Sequence, residues 1–351
     1  MKKSFFAIGL ALMMSLGTIS VVEAENTTGS NTSLTNIQNT VGDYGVVSKT
    51  TNIAADFESN LRTDLYSGGQ TIGSSAKYAG QKGKENIINN ITSDVTSFQS
   101  HGKTSIKFGE KVNINSLNYD AKKISVSQGE INPTVETILS NVSGYAKELQ
   151  QIESQVTIDR TDQNNEKIDC ASINSDVVST TLVPYTNNYG YVQSATTSNG
   201  ATGNLSQQIG QTNIIMNKNQ LVIINVDTTN ISKMNLTRFN IKVNGQTICA
   251  SHQNDNVNKY SAQVVFNFGD YDGDINISEA MGIIIAPKAN VTVSGTSSGQ
   301  VICNSFTNPG GEWHYTGIGK TETPVTPEEP ETPVTPEEPE TPVLLKSLRL
   351  Q

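Results

Sequence analysis

The sequence has few of the residues that most often carry catalysis, with three histidines, three cysteines and one tryptophan among 351 residues. None of the histidines, His101, His252 and His314, stands beside a nucleophile motif, so nothing local predicts a Ser-His-Asp or Cys-His site. Such a site assembled from distant segments stays open. A single tryptophan also leaves few aromatic platforms for an enzyme that degrades polysaccharide.

The cysteines are equally uninformative about metal binding. No pair among Cys170, Cys249 and Cys303 has the spacing of zinc ligands, which argues against a zinc site. The similar segments Gln246–Cys249 and Gln300–Cys303 predict equivalent inward positions for their two cysteines on different coils. A disulfide is one interpretation of the three cysteines, and small buried apolar side chains are the favoured one.

Positive charge is also scarce. The net charge is -9, and seven Glu after residue 320 against Lys346 and Arg349 give the tail -5, which leaves -4 for the rest of the chain. Neither part has the basic stripe that counters phosphate groups. We therefore expect no nucleic-acid partner.

Long apolar runs are absent after the first 24 residues, so no later segment is predicted to cross a bilayer. Lys2 and Lys3 precede the apolar run Phe5–Val22, and the small residue Ala24 follows it. This order predicts a signal peptide over residues 1–24. An uncleaved anchor is the weaker alternative, because Gly and Ser interrupt the run. The mature chain is predicted to be extracellular.

The body of the chain is rich in strand-forming residues. Asn, Ser and Thr dominate residues 25–40 and predict a disordered leader. Over residues 41–318, short runs rich in Ile and Val recur between turn-forming Gly, Asn and Pro residues. Runs of this length and spacing indicate a β-sandwich or a β-solenoid, in which successive coils stack on each other.

One amphipathic helix interrupts this pattern at about residues 133–156. Asn132 is its predicted cap and Pro133 its predicted first residue. The apolar stripe that follows contains Val135, Ile138, Leu139, Val142, Tyr145, Ala146, Leu149, Ile152 and Val156. Residues 84–98 fit either a helical face or solenoid turns, and the pattern does not choose between them.

The stretch Ile275–Phe306 resembles a known family. Its segments Gly282–Ala289, Val291–Val293 and Gly299–Ile302 are similar to the closing motif of the choice-of-anchor A domain, also described as an ice-binding-like adhesive domain of bacterial surface proteins. Gly311–His314 looks like the Gly-Glu-x-His segment that usually ends this domain. Near the other end of the chain, the segments that resemble the family's opening pair are Asp43–Val47 and Asp56–Asn60.

The resemblance carries expectations for individual residues. The family-motif positions in this chain are Glu58, Asn60, Gly282, Ala286, Pro287, Gly299, Glu312 and His314. A packing or capping role is implied for the segment around Trp313 rather than chemistry. The implied fold is mainly β, an ice-binding-like β-solenoid with one long amphipathic helix alongside.

The resemblance also implies a function. It favours a non-enzymatic cell-surface adhesin that presents Thr-, Asn- and Ser-rich strand faces to extracellular matrix protein or glycan, without a cofactor. A secreted β-helix polysaccharide lyase or hydrolase is the alternative, because that architecture also hosts such enzymes. Ice binding would need a regular Thr-x-Thr array, and none is visible in the sequence.

One acidic turn is a weak calcium candidate. Asp270, Asp272 and Asp274 offer clustered oxygen ligands of the kind that calcium prefers. Their spacing is not that of an EF-hand, because Ile275 occupies the position of the required glycine. A solvated turn between two strands is the favoured interpretation.

Residues 319–351 differ in character from the rest of the chain. Thr323–Glu331 is repeated as Thr332–Glu340, and Pro at this density together with repelling Glu predicts an extended, polyproline-like stalk. Such stalks resemble the wall-spanning segments of Gram-positive surface proteins. No sorting motif follows, so we expect either a released protein or a C-terminally truncated one, and peptidoglycan attachment only in the second case.

Overall fold

The fold is described from a computed structural model of the protein. The described residues are 32–69, 71–72, 85–100, 102–159, 167–183, 201–204, 212–229, 231–236, 239–248, 260–277, 279 and 281–315. All of them belong to one unit, Met1–Gly319. The predicted signal peptide and stalk both lie outside the described residues.

Ten parallel strands form the main face of a β-solenoid. The five from the N-terminal half are β1 (Val46–Ile53), β3 (Leu61–Gly68), β4 (Glu85–Ile91), β6 (Thr104–Phe108) and β8 (Ile124–Gln128). The five from the C-terminal half are β10 (Val177–Leu182), β13 (Leu221–Val226), β17 (Val264–Asn267), β19 (Met281–Val293) and β20 (Ser297–Asn308). Their order across the sheet is β10-β13-β17-β19-β20-β1-β3-β4-β6-β8. The chain therefore enters the stack in the middle, where β1 pairs with β20.

The other strands complete the coils. One four-stranded sheet contains β16 (Gln246–Ile248), β15 (Phe239–Val243), β12 (Thr212–Met216) and β9 (Lys167–Asp169). A second row, which pairs with the C-terminal part of β19, contains β11 (Ala201–Asn204), β14 (Ile231–Leu236) and β18 (Asp274–Ile277). The short pairs are β2 (Phe57–Glu58) with β21 (Trp313–Tyr315), and β5 (Ser97–Phe98) with β7 (Asn118–Tyr119). The prediction of a mainly β solenoid is confirmed.

The interior of the coils is apolar because alternate residues of each strand point inward. Val46, Ile284, Val301 and Phe306 are buried there together with Trp313. The segment at 84–98, which fitted two structures, contains strands β4 and β5. Its β-branched residues therefore lie in or next to strands of the solenoid and not in a helix.

The long helix lies alongside the solenoid as the resemblance implied, but it is shorter than predicted. This helix, α2, spans Val135–Gln150. Asn132 and Pro133 precede it, and Thr134 is the cap, because its Oγ1 accepts a 3.2 Å hydrogen bond from the backbone N–H of Thr137. The stripe continues in sequence to Val156, but residues 153–156 leave the helix and bond to β10.

A second helix replaces part of the predicted leader. Residues 32–41 form α1, although their Asn, Ser and Thr content predicted disorder up to residue 40. Leu34, Ile37 and Val41 recur at helical spacing and are buried against the outer side of the main face. Ser33 Oγ also donates a 2.7 Å hydrogen bond to Glu148 Oε2 of α2.

Both helices cover the same apolar surface. Its outward-facing sheet residues are Val47, Val177, Ile223, Val265, Ile283, Ile285 and Ile302. The helices contribute Leu34, Ile37 and Val41 from α1, and Val135, Ile138, Leu139, Val142, Ala146 and Leu149 from α2. Within the described residues, no helix is both long enough and apolar enough to span a membrane.

Candidate functional site

The two ends of the predicted family motif meet in one layer of the solenoid. β2 and β21 are parallel neighbours, with Phe57 beside Trp313 and Glu58 beside His314. β21 also pairs with β20, where Ser298 lies beside His314. The opening and closing segments, far apart in sequence, therefore form adjacent strands near the middle of the stack.

His314 is buried between two carboxylates. It is 2% exposed, and its Nε2 lies 3.5 Å from Glu58 Oε2 and 3.4 Å from Glu312 Oε2. Burial lowers the pKa of His314, and the two glutamates oppose that shift. The fully buried Trp313 packs edge-on against Phe306, with ring centroids 5.6 Å apart. These contacts close the coil, in keeping with the packing role that the resemblance implies.

The glycines of the motif allow two strands to approach closely. Gly282 and Gly299 are paired in register and have φ angles of 139° and 153°. A Cβ on Gly299 would lie 1.8 Å from the carbonyl oxygen of Gly282, so any side chain here forces the strands apart.

The remaining motif residues are also structural. Ala286 and Pro287 are buried where the register of β19 against β20 shifts, between Ala286 and Asn290. The carbonyl of the buried Asn60 accepts a 2.8 Å hydrogen bond from the backbone N–H of Gly45. These contacts fix the corners of the central coils.

The acidic turn is held by lysines. Asp270 Oδ2 lies 2.6 Å from Lys147 Nζ and 3.0 Å from Lys288 Nζ, and Ser143 donates to its other oxygen. Burial alone would raise the pKa of Asp270, but hydrogen bonds from Lys147, Ser143 and Lys288 lower it to about 2. This carboxylate therefore ties α2 to the solenoid.

The described residues contain no cluster of three or more His, Cys, Asp or Glu side chains with metal-binding geometry. Asp274 Oδ1 accepts a 3.1 Å hydrogen bond from Asn290, and Asp272 is exposed. Calcium binding at Asp270, Asp272 and Asp274 stays a prediction.

Two of the cysteines are buried free thiols, as the favoured interpretation predicted. Cys170 and Cys303 are both 0% exposed. Burial raises the pKa of Cys170 to about 12 and that of Cys303 further, so neither is a reactive thiolate at neutral pH. Cys249, His101 and His252 lie outside the described residues.

A regular polar surface, which the sequence analysis did not locate, lies on five consecutive strands. It occupies β18, the C-terminal parts of β19 and β20, and then β1 and β3. One column of outward-facing residues contains Asp274, Asn290, Ser305 and Thr50. The second contains Asn276, Thr292, Thr307, Asn52 and Ser67. We call these nine residues the polar ladder.

The geometry of the polar ladder follows from the parallel sheet. Neighbouring strands lie about 4.8 Å apart, and the two columns are about 6.6 Å apart along each strand. The intervening residues Ile275, Val291 and Phe306 point into the core and are buried. Asn304 Nδ2 donates a 3.2 Å hydrogen bond to Asn290 Oδ1, which restrains one edge of the surface. The result is a fixed grid of hydroxyl and amide groups.

This grid can donate and accept hydrogen bonds in a regular array. Asp274 is its only ionised member, and the exposed Lys233 of β14 lies beside it in register, so this surface has no excess of one charge. It is not a Thr-x-Thr array, because Asn, Ser and Asp occupy several positions. Alternation such as Thr50-Thr51-Asn52 was visible in the sequence, but the alignment of the strands was not.

A separate open depression offers a test of the enzymatic alternative. It has a volume of 610 Å³ and is lined by residues 173–176 and 217–220. Asp176 and Lys218 are its charged residues. Glycoside hydrolysis commonly requires two carboxylates, and this lining supplies one.

Comparisons with known proteins support one family. A family model described as "Putative Ice-binding-like adhesive domain" matches residues 29–315, which is more than half of the chain. The match begins within the segment that we predicted to be a leader, before α1. No curated protein matches the chain.

Two solved structures match the chain at very low identity and low TM-score. One is a glycosylated ice-binding protein, LeIBP, from an Arctic yeast, with 9% identity, a TM-score of 0.28, and coverage of 81% of this chain and 94% of that chain. The other is an ice-binding protein from the Antarctic ascomycete Antarctomyces psychrotrophicus, with 8% identity, a TM-score of 0.30, and coverage of 80% and 97%.

Proposed function

The chain belongs to the ice-binding-like adhesive domain family, and from that membership we propose that it is an exported adhesin whose polar ladder binds an extracellular matrix protein or glycan. The family supports an adhesin-like surface protein. The specific ligand, and display on a Gram-positive cell wall by the Pro/Glu-rich tail, are parts of the proposal. The observation that carries it is the in-register grid of hydroxyl and amide groups.

The grid suits a polar, neutral ligand. Hydroxyl and amide groups exchange hydrogen bonds with sugar hydroxyls or peptide groups, and a preordered surface loses little conformational entropy on binding. Because the strands are locked by the core beneath them, the spacing of these groups does not have to be organised when a ligand arrives. The polar ladder is thus suited to recognition across a broad shallow surface.

The absence of catalysis is also part of this proposal. Two features described above support it. The lining of the depression contains a single carboxylate, and His314 is buried in β21, where it packs within the coil. A secreted β-helix polysaccharide lyase or hydrolase remains the competing function, and the same experiment tests it.

The experiment is a binding screen of the full mature chain against collagen, fibronectin, mucin and a glycan array, with and without EDTA. Thr307→Arg places a bulky cation in the centre of the polar ladder and should reduce binding to any retained ligand by about tenfold or more. The matched control is Thr247→Arg, at an exposed position on β16.

Equal losses in the two arginine variants would contradict the assignment of the polar ladder as the binding surface. Turnover of any polysaccharide in the screen would instead support the enzymatic alternative. Binding that disappears in EDTA would revive calcium as a cofactor, and the acidic turn at Asp270, Asp272 and Asp274 would be the first place to test.

A further inference from the structure

The outermost strands at the two ends of the solenoid differ in what covers them. At one end β10 is covered by residues 153–156: Gln155 N donates to Ser179 O at 2.9 Å, and Thr180 Oγ1 donates to Val156 O at 2.6 Å. At the other end β8 has a single strand neighbour among the described residues, β6. An edge strand that is paired on one side is a template for pairing with another strand.

The direction of the backbone groups of β8 is fixed by its pairing with β6. The carbonyl of Lys123 accepts from Thr104 N at 2.9 Å, and Gly129 N donates to Phe108 O at 3.0 Å. Backbone groups alternate in direction along a strand. The N–H and C=O groups of Val126 and the neighbouring even-numbered Gln128 therefore point away from β6, toward the open edge.

The last coil also leaves apolar side chains incompletely covered. Ile114, Leu117, Tyr119 and Val126 pack against the core but are only partly buried. The corresponding position at the β10 end is occupied by residues 153–156. The β8 end therefore combines an open strand edge with apolar surface that a partner would cover.

We propose that β8 is a self-pairing edge, through which two copies of this chain associate as an antiparallel dimer centred on Val126. A second copy is favoured because the sequence around Val126 is complementary to itself. Antiparallel pairing about this residue brings the exposed Lys122, in the turn just before β8, toward the exposed Glu130 just after β8 of the other copy. Ser125 then faces Ser127, so small side chains meet in the middle.

The backbone groups fit the same arrangement. Val126 of each copy exchanges both N–H···O=C bonds with Val126 of the other, and each Gln128 N–H donates to the opposite Ile124 carbonyl. The two-fold axis makes the contact closed, so it stops at a dimer. Lysine on an edge strand often discourages pairing, but here Lys122 has an opposite charge to meet, and Lys123 lies opposite Gly129.

The first test is sedimentation velocity of the full mature chain from about 1 μM to about 500 μM, where a weak strand-edge contact is populated. We expect a concentration-dependent shift from monomer to dimer. Val126→Pro removes the central N–H on the open side while leaving the bonds to β6, and should weaken association by about tenfold or more. Val126→Thr keeps the N–H and is the matched control.

A charge-reversal set tests the pairing register. Lys122→Glu and Glu130→Lys should each weaken self-association, because each creates two like-charge contacts per dimer. Mixing the two variants should restore association as a heterodimer, and the double variant should restore the homodimer. Lys218→Glu, an exposed lysine far from β8, controls for net charge.

A wild-type chain that remains monomeric at the highest concentration overturns the proposal. So does a dimer that survives both Val126→Pro and the single charge reversals, since its interface then lies elsewhere. Circular dichroism of every variant separates loss of pairing from loss of fold.

Discussion

Strands β19, β20 and β1 each carry two stretches that have opposite surroundings. In the first stretch the outward side chains, such as Ile285, Ile302 and Val47, are apolar and lie under α1 and α2. In the second stretch the outward side chains, such as Thr292 and Thr307, are polar and uncovered. Most inward side chains are apolar in both, and the buried Ser48 and Thr51 of β1 are hydrogen-bonded to each other. The outward residues alone therefore decide whether a stretch is covered by helices or exposed. We call the first stretches of these strands the covered half and the second stretches the displayed half.

The largest expected effect comes from making the covered half resemble the displayed half. Ile302→Asn removes a fully buried side chain and leaves an amide without a partner, so it should cost about 4 kcal/mol of unfolding free energy. Thr307→Asn, five residues along the same strand, is the matched control and should change stability by less than about 0.5 kcal/mol. Urea unfolding measures both, and similar losses would abolish the distinction between the halves.

A second expected effect concerns the contact that holds α2 over the covered half. Asn267 is fully buried, and its Nδ2 donates 2.8 Å hydrogen bonds to Ala146 O and Asn225 Oδ1. Asn267→Ala should cost about 2 kcal/mol and increase amide exchange in α2, because the Ala146 carbonyl loses the hydrogen bond that ties it to the sheet. The control is Asn276→Ala in the displayed half, and unchanged exchange in α2 after Asn267→Ala would count against this anchor.

A third expected effect is a pH dependence of the unfolding free energy that comes from His314. This residue is in β21, a strand outside both halves. Burial holds the pKa of His314 below its usual value, so the unfolded chain takes up the proton more readily than the folded one. Stability from this group is complete above about pH 6.5 and falls as the pH drops, by at most about 1.4 kcal/mol from about pH 7.5 to about pH 5.5.

The control for this pH effect is His314→Gln, whose stability should lack this part of the acid dependence in urea unfolding at each pH. Ligand retention by the polar ladder should change little over the same range, because the polar ladder contains no histidine. A wild-type chain whose stability rises on acidification would contradict the assignment of a neutral, buried histidine.

The smallest expected effect comes from extending the polar ladder by one residue in the displayed half. Leu65 pairs with Thr50 and is 37% exposed, so it interrupts the first column of the polar ladder with an apolar side chain. Leu65→Thr should change the unfolding free energy by less than about 0.5 kcal/mol and extend the grid by one hydroxyl. Leu65→Ala is the control for loss of the side chain alone. A loss above about 1 kcal/mol would show that Leu65 belongs to the core instead.

The sequence predicted the parts of this fold that depend on local pattern. Short β-branched runs such as Ile283–Ile285 indicated strands, and the stripe from Val135 to Leu149 indicated α2. The helix α1 was missed because Asn, Ser and Thr fill the positions between Leu34, Ile37 and Val41. Composition there favours disorder, and only the covered sheet surface gives the apolar residues a partner.

The candidate site could be predicted only in part. The motif positions Glu58 and His314 came from a family resemblance, and their adjacency became visible only when β2 and β21 paired. The polar ladder depends on β1 lying beside β20, a contact between residues about 250 positions apart in the sequence. No local pattern encodes that neighbour, because the chain enters the stack in its middle.

That entry point has a mechanical consequence. In a stack wound from one end to the other, the chain ends are the outermost coils, and a pull on either end peels coils off one after another. Here both β1 and β21 sit among the central strands, so tension arriving through residue 315 reaches the most enclosed coils first. The outermost strands, β8 and β10, are joined through α2 and have no loose end to unwind from.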